Sequence, residues 1–277
     1  MDLKSKIILI YGPTASGKSQ FAIKFAKKIN GEIVNADSMQ VYKQLRILSA
    51  RPSLKEYKKI KHHLYGFQSV SKNFSTGDWL KLVNQKISEI KQRKKTPILV
   101  GGTGLYFKSL IEGMVNIPNI PLKFRKKVRF LHKKLGSKKF FLKLIKIDPL
   151  AKNHINPSDV QRSIRAFEIK LFTNKSMYDW FRNTKSNYDQ KDFYKIYIDF
   201  PRYDLIKRIN VRTREMIKKG AISEVKKFIS LKVPKDKSVN KAIGMAEINE
   251  YLNKKIEIDE VIEKISVKTR QYAKRQS

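Results

Sequence analysis

A chain of 277 residues with 61 Lys+Arg against 24 Asp+Glu carries a formal net charge of +37, with 41% hydrophobic residues and no cysteine. That excludes a disulfide-stapled scaffold and a Cys-ligated zinc site, and it suits a reducing cytosol. No apolar run approaches the length of a membrane span, and the opening Met1-Asp2-Leu3-Lys4 lacks the layout of a signal peptide.

In chain order, the first element is a strand expected at 6–11, which leads straight into "GPTASGKS". Gly12, Gly17, Lys18 and Ser19 fill the pattern G-x-x-x-x-G-K-[ST], and the loop opens a helix expected at 18–29. The glycines let backbone N–H groups converge on an anionic oxygen. The helix start adds its positive dipole end, and the Lys18 ammonium adds a full charge. Ser19 can offer its hydroxyl to a magnesium ion. This is a phosphate site; the alternative, an ordinary glycine-rich turn, does not explain the strand before it and the helix after it.

A second strand is expected at 32–36, followed by Asp37, Ser38 and Gln40, and a third at 64–70. Ser75 and Asp78 are spaced as a capping box ahead of a helix expected at 79–92. The strand expected at 96–100 has Pro97 near its start, where proline is tolerated, and ends in Gly101-Gly102-Thr103-Gly104. An NTP-hydrolysing protein of this class carries an acidic residue at such a strand end, to hold magnesium and water. Here the strand end has none. A phosphate cradle, one carboxylate and a neutral Gly-Thr loop suit transfer chemistry better than timed hydrolysis.

After a helix at 105–112 the character changes. The stretch from about 116 to 192 carries no convincing strand, is very basic, and reads as helices at 121–135, 138–146, 158–172 and 176–181. A strand returns at 194–199, with helices from there to the end. Strand–helix alternation argues for an α/β fold with a mostly parallel sheet. The organisation expected is a P-loop NTPase-like core over 1–115 and 193–277, with a helical insertion at 116–192 bordered by Pro118, Pro121 and a polar run. The charge has two readings, a polyanion partner such as RNA or a lysine-rich bias that decorates every surface. His62 and His63, with no Cys or carboxylate cluster beside them, read as structural residues rather than metal ligands.

"GPTASGKS", "VNADSMQVYK", "HHL", "VGGTGLYFKSLIEG", "NPSDVQRSIRAFEI" and "TRQYAKRQ" occur together and in that order. On these the chain resembles the tRNA dimethylallyltransferases (tRNA isopentenyltransferases, or IPP transferases), from about Ile7 to the last residue. The resemblance departs at Ile243-Gly244-Met245, where the family has Ile-Gly-Tyr, and relatives run on past the Lys-Arg-Gln with a Thr-Trp segment.

The resemblance implies a P-loop core with a helical tRNA-binding insertion. It implies transfer of a dimethylallyl group from dimethylallyl diphosphate to N6 of the adenine just 3′ of the anticodon, with Mg2+. The diphosphate would be held by Gly12, Pro13, Thr14, Ala15, Ser16, Gly17, Lys18 and Ser19, the last also facing magnesium. An adenine amine needs a proton acceptor, and Asp37 is the candidate, the alternative being a partner of magnesium or of Lys18. Lys18, Thr103 and, by resemblance, Arg212 would stabilise the leaving diphosphate. Arg208 and Arg212 are spaced i,i+4 on one helix face. Asp37, Ser38, Met39 and Gln40 resemble the segment that receives the adenine, and Gln161, Arg162, Ser163, Ile164 and Arg165 the segment that holds the loop around it. Thr103 and Arg125 match further positions at the tRNA interface. The partners expected are the tRNA anticodon stem-loop and dimethylallyl diphosphate, with no membrane, for a cytoplasmic monomer. A P-loop small-molecule kinase would explain the loop and Asp37 but not Gly101–Gly104 or the basic insertion. An RNA-binding NTPase would want the acidic strand end.

Overall fold

The computed structural model describes residues 3, 5–57, 60–182, 184–235 and 237–277. The chain divides into two compact units, Met1–Ile111 with Tyr188–Ser277, and Glu112–Asn187. The first unit is built on five parallel strands: β1 (Ile7–Tyr11), β2 (Gly31–Asn35), β3 (His62–His63), β4 (Thr96–Val100) and β5 (Phe193–Tyr197). Their order in the sheet is β3-β2-β4-β1-β5. Strands β2 and β4 are buried along their whole length, and β1 in all but Tyr11. Both faces of the sheet are therefore covered, which is why β1 and β4 are mostly continuous apolar runs rather than alternating ones, while β2 buries Glu32 and Asn35 beside Ile33 and Val34. Edge strand β5 is buried only at Phe193 and alternates half-buried and exposed after it. Pairing puts Leu9 beside Leu99, and Val34 beside Leu99 on the other side, so β1, β2 and β4 end level.

The helices of this unit are α1 (Lys18–Ile29), α2 (Thr76–Gln92) and α3 (Gly104–Glu112). Helix α2 starts three residues earlier than its expected 79. Ser75 accepts from the Asp78 N–H while the Asp78 carboxylate accepts from the Ser75 N–H, so the box fixes Thr76 as the first helical residue. The strand expected at 64–70 is not formed. The strand is His62–His63, and Leu64 and Gly66 follow in left-handed backbone (φ 61° and 56°), which ends it. Beyond them Gln68 makes only an isolated bridge to Tyr42.

Numbering in chain order, the second unit holds α4 (Leu122–Ile147), α5 (Ala151–His154), α6 (Val160–Thr173) and α7 (Met177–Arg182). The two helices expected at 121–135 and 138–146 are both formed: α4 is two helical stretches that meet at a non-helical Gly136 (φ 72°, ψ 165°). This unit has its own core, with Phe140, Leu144, Ala166 and Phe167 fully or almost fully buried. Back in the first unit, α8 (Arg202–Lys218), α9 (Ala221–Ser230), α10 (Met245–Leu252) and α11 (Ile258–Lys274) close the chain. They pack with residues 41–48 around Leu45, Val225, Ile248 and Val261. Glu224 at the start of α9 accepts from the N–H groups of Arg46, Ile47 and Leu48 at 2.8–2.9 Å, pinning that loop. Among the described residues no helix is long and apolar enough to cross a membrane.

Candidate active site

The site lies past the carboxyl ends of β1, β2 and β4, where open parallel sheets bind their ligands. A cavity of about 340 Å³ opens there, lined among others by Thr14, Lys18, Ser19, Asp37, Arg208 and Arg212. The loop after β1 reaches α1 through Gly17, whose φ of 92° only glycine adopts without strain. No side chain caps α1 and no acidic residue sits in its first turn. Its first N–H groups, which have no intrahelical partner, are therefore available to an anion. Inside the loop the Ser16 hydroxyl is buried with no hydrogen-bond partner. Lys18 Nζ donates to Pro13 O at 2.5 Å. Burial pushes its pKa down to about 8, Asp37 pulling it back up and Arg212 pushing it further down. Arg212 donates to Thr14 Oγ1 at 3.4 Å, and burial lowers its pKa too, against the pull of Asp37. It is thus a cavity residue, not a solvated surface arginine. Arg208, one turn before it, lies against Gly17 and stacks on the Phe200 ring at 4.7 Å.

Asp37 is held from behind. Asn35, fully buried at the end of β2, donates from Nδ2 to Asp37 O and accepts the Asp37 N–H, both at 2.9 Å. The Trp79 indole in turn donates to Asn35 O at 2.9 Å. The Asp37 carboxylate accepts from the N–H groups of Met39 (2.8 Å) and Gln40 (3.3 Å). Protein surrounds it on all sides but the cavity. That burial raises its pKa, although the two N–H groups, Lys18 and Arg212 all oppose the rise. Tyr65 lines the same cavity, its hydroxyl pushed up by burial and by nearby Asp37.

Thr103 is joined to this group by a close approach. A Cβ on Gly101 would lie 2.1 Å from Ala36 O, so only glycine lets the end of β4 pass so near β2. Thr103 Oγ1 then accepts the Ser38 N–H at 3.0 Å and faces Ser38 Oγ at 3.4 Å. Tyr272 on α11 lies near Thr103; burial first, and then the charge of Asp37, push its hydroxyl up to about 12. Gln40 donates to Ser49 O at 3.1 Å and also lines the cavity. His62 and His63 are tied to Ile60 O and Glu32, away from any ligand set. Among the described residues there is no group of three His, Cys, Asp or Glu to hold a metal. The donor set at the cavity therefore fits only an ion shared with a ligand's phosphate oxygens, with Ser19 as the protein's hydroxyl.

Asn35 and Tyr272 fall within "VNADSMQVYK" and "TRQYAKRQ", but those motifs give them no role, and Trp79 lies in no motif; their parts in the site come from contacts in the fold. Gln276 is marked only by its place in "TRQYAKRQ", yet its side chain reaches the P-loop.

Taken by itself, the second unit arranges its basic residues around one acid. Glu168, 1% exposed, meets Arg125 and Arg165 at 3.2 Å and Arg129 at 4.0 Å. Gln161 and Arg162 are exposed, and Arg162 pairs with Asp159, the residue that caps α6. Ser163 is 3% exposed and Ile164 packs on the core, so these two of the five expected contact residues face inward.

Fold and site together define a P-loop α/β protein with a helical insertion. The chain belongs to the IPP transferase family, whose model matches residues 40–277. The P-loop and Asp37 precede that stretch, while Thr103, Arg212 and Gln276 lie within it. A tRNA dimethylallyltransferase of Pelagibacter ubique is 63% identical over 277 residues, all of this chain and 88% of its own length. One of Rickettsia massiliae is 45% identical over 275 residues, 99% of this chain and 76% of its own. Among solved structures, a eukaryotic dimethylallyltransferase acting on tRNA superposes with a TM-score of 0.84 at 30% identity, over 98% of this chain and 68% of that one. The tRNA isopentenylpyrophosphate transferase of Bacillus halodurans gives 0.68 at 33%, over 98% and 85%.

Proposed function

We propose that this chain transfers a dimethylallyl group from dimethylallyl diphosphate to N6 of the adenine just 3′ of the anticodon of tRNA, releasing diphosphate. Its family and its relatives named tRNA dimethylallyltransferase support the reaction class. The observation that carries the mechanism is the sharing of one cavity by Asp37, Lys18 and Arg212.

The adenine leaves its stack to reach that cavity, at lower cost in an anticodon loop than in a duplex. Its N6 bonds to C1 of the allyl group as the C–O bond to diphosphate breaks, and the electron pair departs with diphosphate. The surplus proton on nitrogen passes to the Asp37 carboxylate. Burial makes that carboxylate more basic than an exposed one, which suits a proton acceptor working near neutral pH. The leaving diphosphate meets the free N–H groups of the loop, Lys18 and Arg212, all in place before charge develops. Thr103 holds the Ser38 segment that carries Asp37. A magnesium ion arriving with the donor would be held by Ser19 and the diphosphate and would supply positive charge to the leaving group. Gln161, Arg162, Arg165 and Arg125 of the insertion take the anticodon stem-loop.

Incubating unmodified tRNA with labelled dimethylallyl diphosphate and ATP tests this. Label should enter tRNA with one diphosphate released per transfer and ATP untouched. Release of ADP or inorganic phosphate in step with modification would favour a kinase instead.

A further inference from the structure

Helix α11 ends at Lys274, and two residues on, the Gln276 side chain lines the cavity of the P-loop. Its Oε1 accepts the Thr14 N–H at 2.8 Å, and its Nε2 donates to Gly102 O at 2.7 Å. That orientation is forced, since a backbone N–H can only donate and a carbonyl can only accept. One carboxamide thus joins the loops that follow two neighbouring strands, β1 and β4, beyond the point where their pairing ends. Each loop carries a different half of the chemistry. Thr14 belongs to the diphosphate loop and takes the hydrogen bond of Arg212. Gly102 precedes Thr103, which holds Ser38 beside Asp37. The fit is tight: a Cβ on Gly102 would lie 2.0 Å from Gln276 Nε2. Tyr272, one turn back on α11, lies near the same Thr103.

We propose that Gln276 is a positioning residue, a clasp that holds the diphosphate loop and the base-bearing turn in register, a role that rests on the function proposed above. An amide length is needed to span the two backbone groups, and displacement of reacting groups by about 1 Å can cost up to about 100-fold in rate. The charged and titratable groups facing the same cavity are Lys18 from α1, Arg208 and Arg212 from α8, Asp37 after β2, and Glu56 and Tyr65 from the segment before α2.

The test compares wild type, Q276L and Q276E for binding of inorganic diphosphate, which needs no transfer, and for kcat with tRNA. Measurements run from about pH 5, where a glutamic acid begins to protonate, to about pH 8, each variant taken as a ratio to wild type at the same pH. Q276L should weaken diphosphate binding about tenfold at every pH and lower kcat at least as much, because both backbone groups lose their partner. Q276E should be worse still near pH 8, with an acceptor facing Gly102 O and a negative charge beside the ligand. Toward pH 5 its ratio should close, since a protonated carboxyl regains one donor and one acceptor. Wild-type binding and kcat in both variants would overturn the clasp. Equal losses that ignore pH would also overturn it, leaving Gln276 a packing residue. Wild-type protein that binds diphosphate but leaves tRNA unmodified would sink the proposed transfer, while the binding ratios still decide the clasp.

Discussion

Glu32, the second residue of β2, and Asp37, two residues past its end, are acids on one strand that the protein treats in opposite ways. Glu32 is 1% exposed and meets Arg93 and His63 at 2.7 Å and Lys95 at 3.5 Å. Burial alone would raise its pKa, but the hydrogen bonds and charges of Arg93 and His63 outweigh it and hold it at about 2. Asp37 has no ion pair of that kind among the described residues, only two N–H groups and cations farther off, and burial wins. At the amino end of the sheet an acid is neutralised and serves the fold. At the carboxyl end an acid is left short of partners and faces a cavity, which is what a proton acceptor requires.

The largest effect that separates the two ends is on rate. Asp37→Asn keeps an oxygen for the Met39 and Gln40 N–H groups but cannot take a proton, so kcat should fall by about 10²–10⁴. Diphosphate affinity should stay within a few-fold of wild type. Near-normal turnover in this variant would remove Asp37 from the mechanism. Glu32→Gln should do the reverse, leaving kcat per folded molecule unchanged while costing on the order of 2 kcal/mol of stability. The cost stays moderate because the stranded Arg93 and Lys95 are 37% and 34% exposed and can rehydrate. Chemical denaturation of both variants measures it; an unchanged midpoint for Glu32→Gln would mean that the cluster does not hold the strand.

The two ends should also differ in the sign of their pH dependence. Glu32 binds its proton less tightly in the fold than in the unfolded chain. Its stabilisation is complete above about 4.5, its ordinary value, and is lost as pH falls toward about 2. Asp37 binds its proton more tightly in the fold, so it opposes folding once pH rises above 3.8, its ordinary value. Melting temperature against pH should therefore lose part of its acid slope in Glu32→Gln. Asp37→Asn should match or exceed wild type at neutral pH. A neutral-pH melting point for Asp37→Asn well below wild type would show that Asp37 serves the fold after all.

How much of this the sequence discloses follows from the range of each signal. Strand β4 and helix α1 match their expected bounds, because unbroken apolar runs and a Gly-Lys-Ser helix start are local features. Residues 64–70 mislead because their apolar residues belong to a loop and are divided between clusters, Phe67 and Val70 with Tyr42 and Leu64 with Trp79, and the left-handed Leu64 has no sequence signature. The role of Gln276 depends on a partner 262 residues away. No spacing rule reaches that far. Arg212 shows its helix face in the sequence but not its burial. The same limit applies to 161–165, where the helix was expected and the inward turn of Ser163 and Ile164 emerges only from packing.

The insertion offers another acid to set beside these two, and the smallest expected effect. Glu168 is ringed like Glu32, but by Arg125, Arg129 and Arg165, two of which are candidates for holding RNA. If the ring serves only the fold, Arg165→Ala should weaken every RNA alike, because counterion release is blind to sequence. If Arg165 also meets a splayed anticodon loop, part of its contribution should survive added salt, as stacking and base-edge contacts do. Half-buried and already paired, it should be worth about fivefold at most. Arg165→Ala is therefore expected to weaken tRNAs with adenine 3′ of the anticodon by about that factor, and an unrelated stem-loop by less. Arg125 and Arg129 remain to satisfy Glu168, so the melting temperature should move little. Competition titrations at low and moderate salt compare the two RNAs. Equal losses for both would make the ring around Glu168 a structural cluster like the one around Glu32, and would leave RNA selection to Gln161 and Arg162.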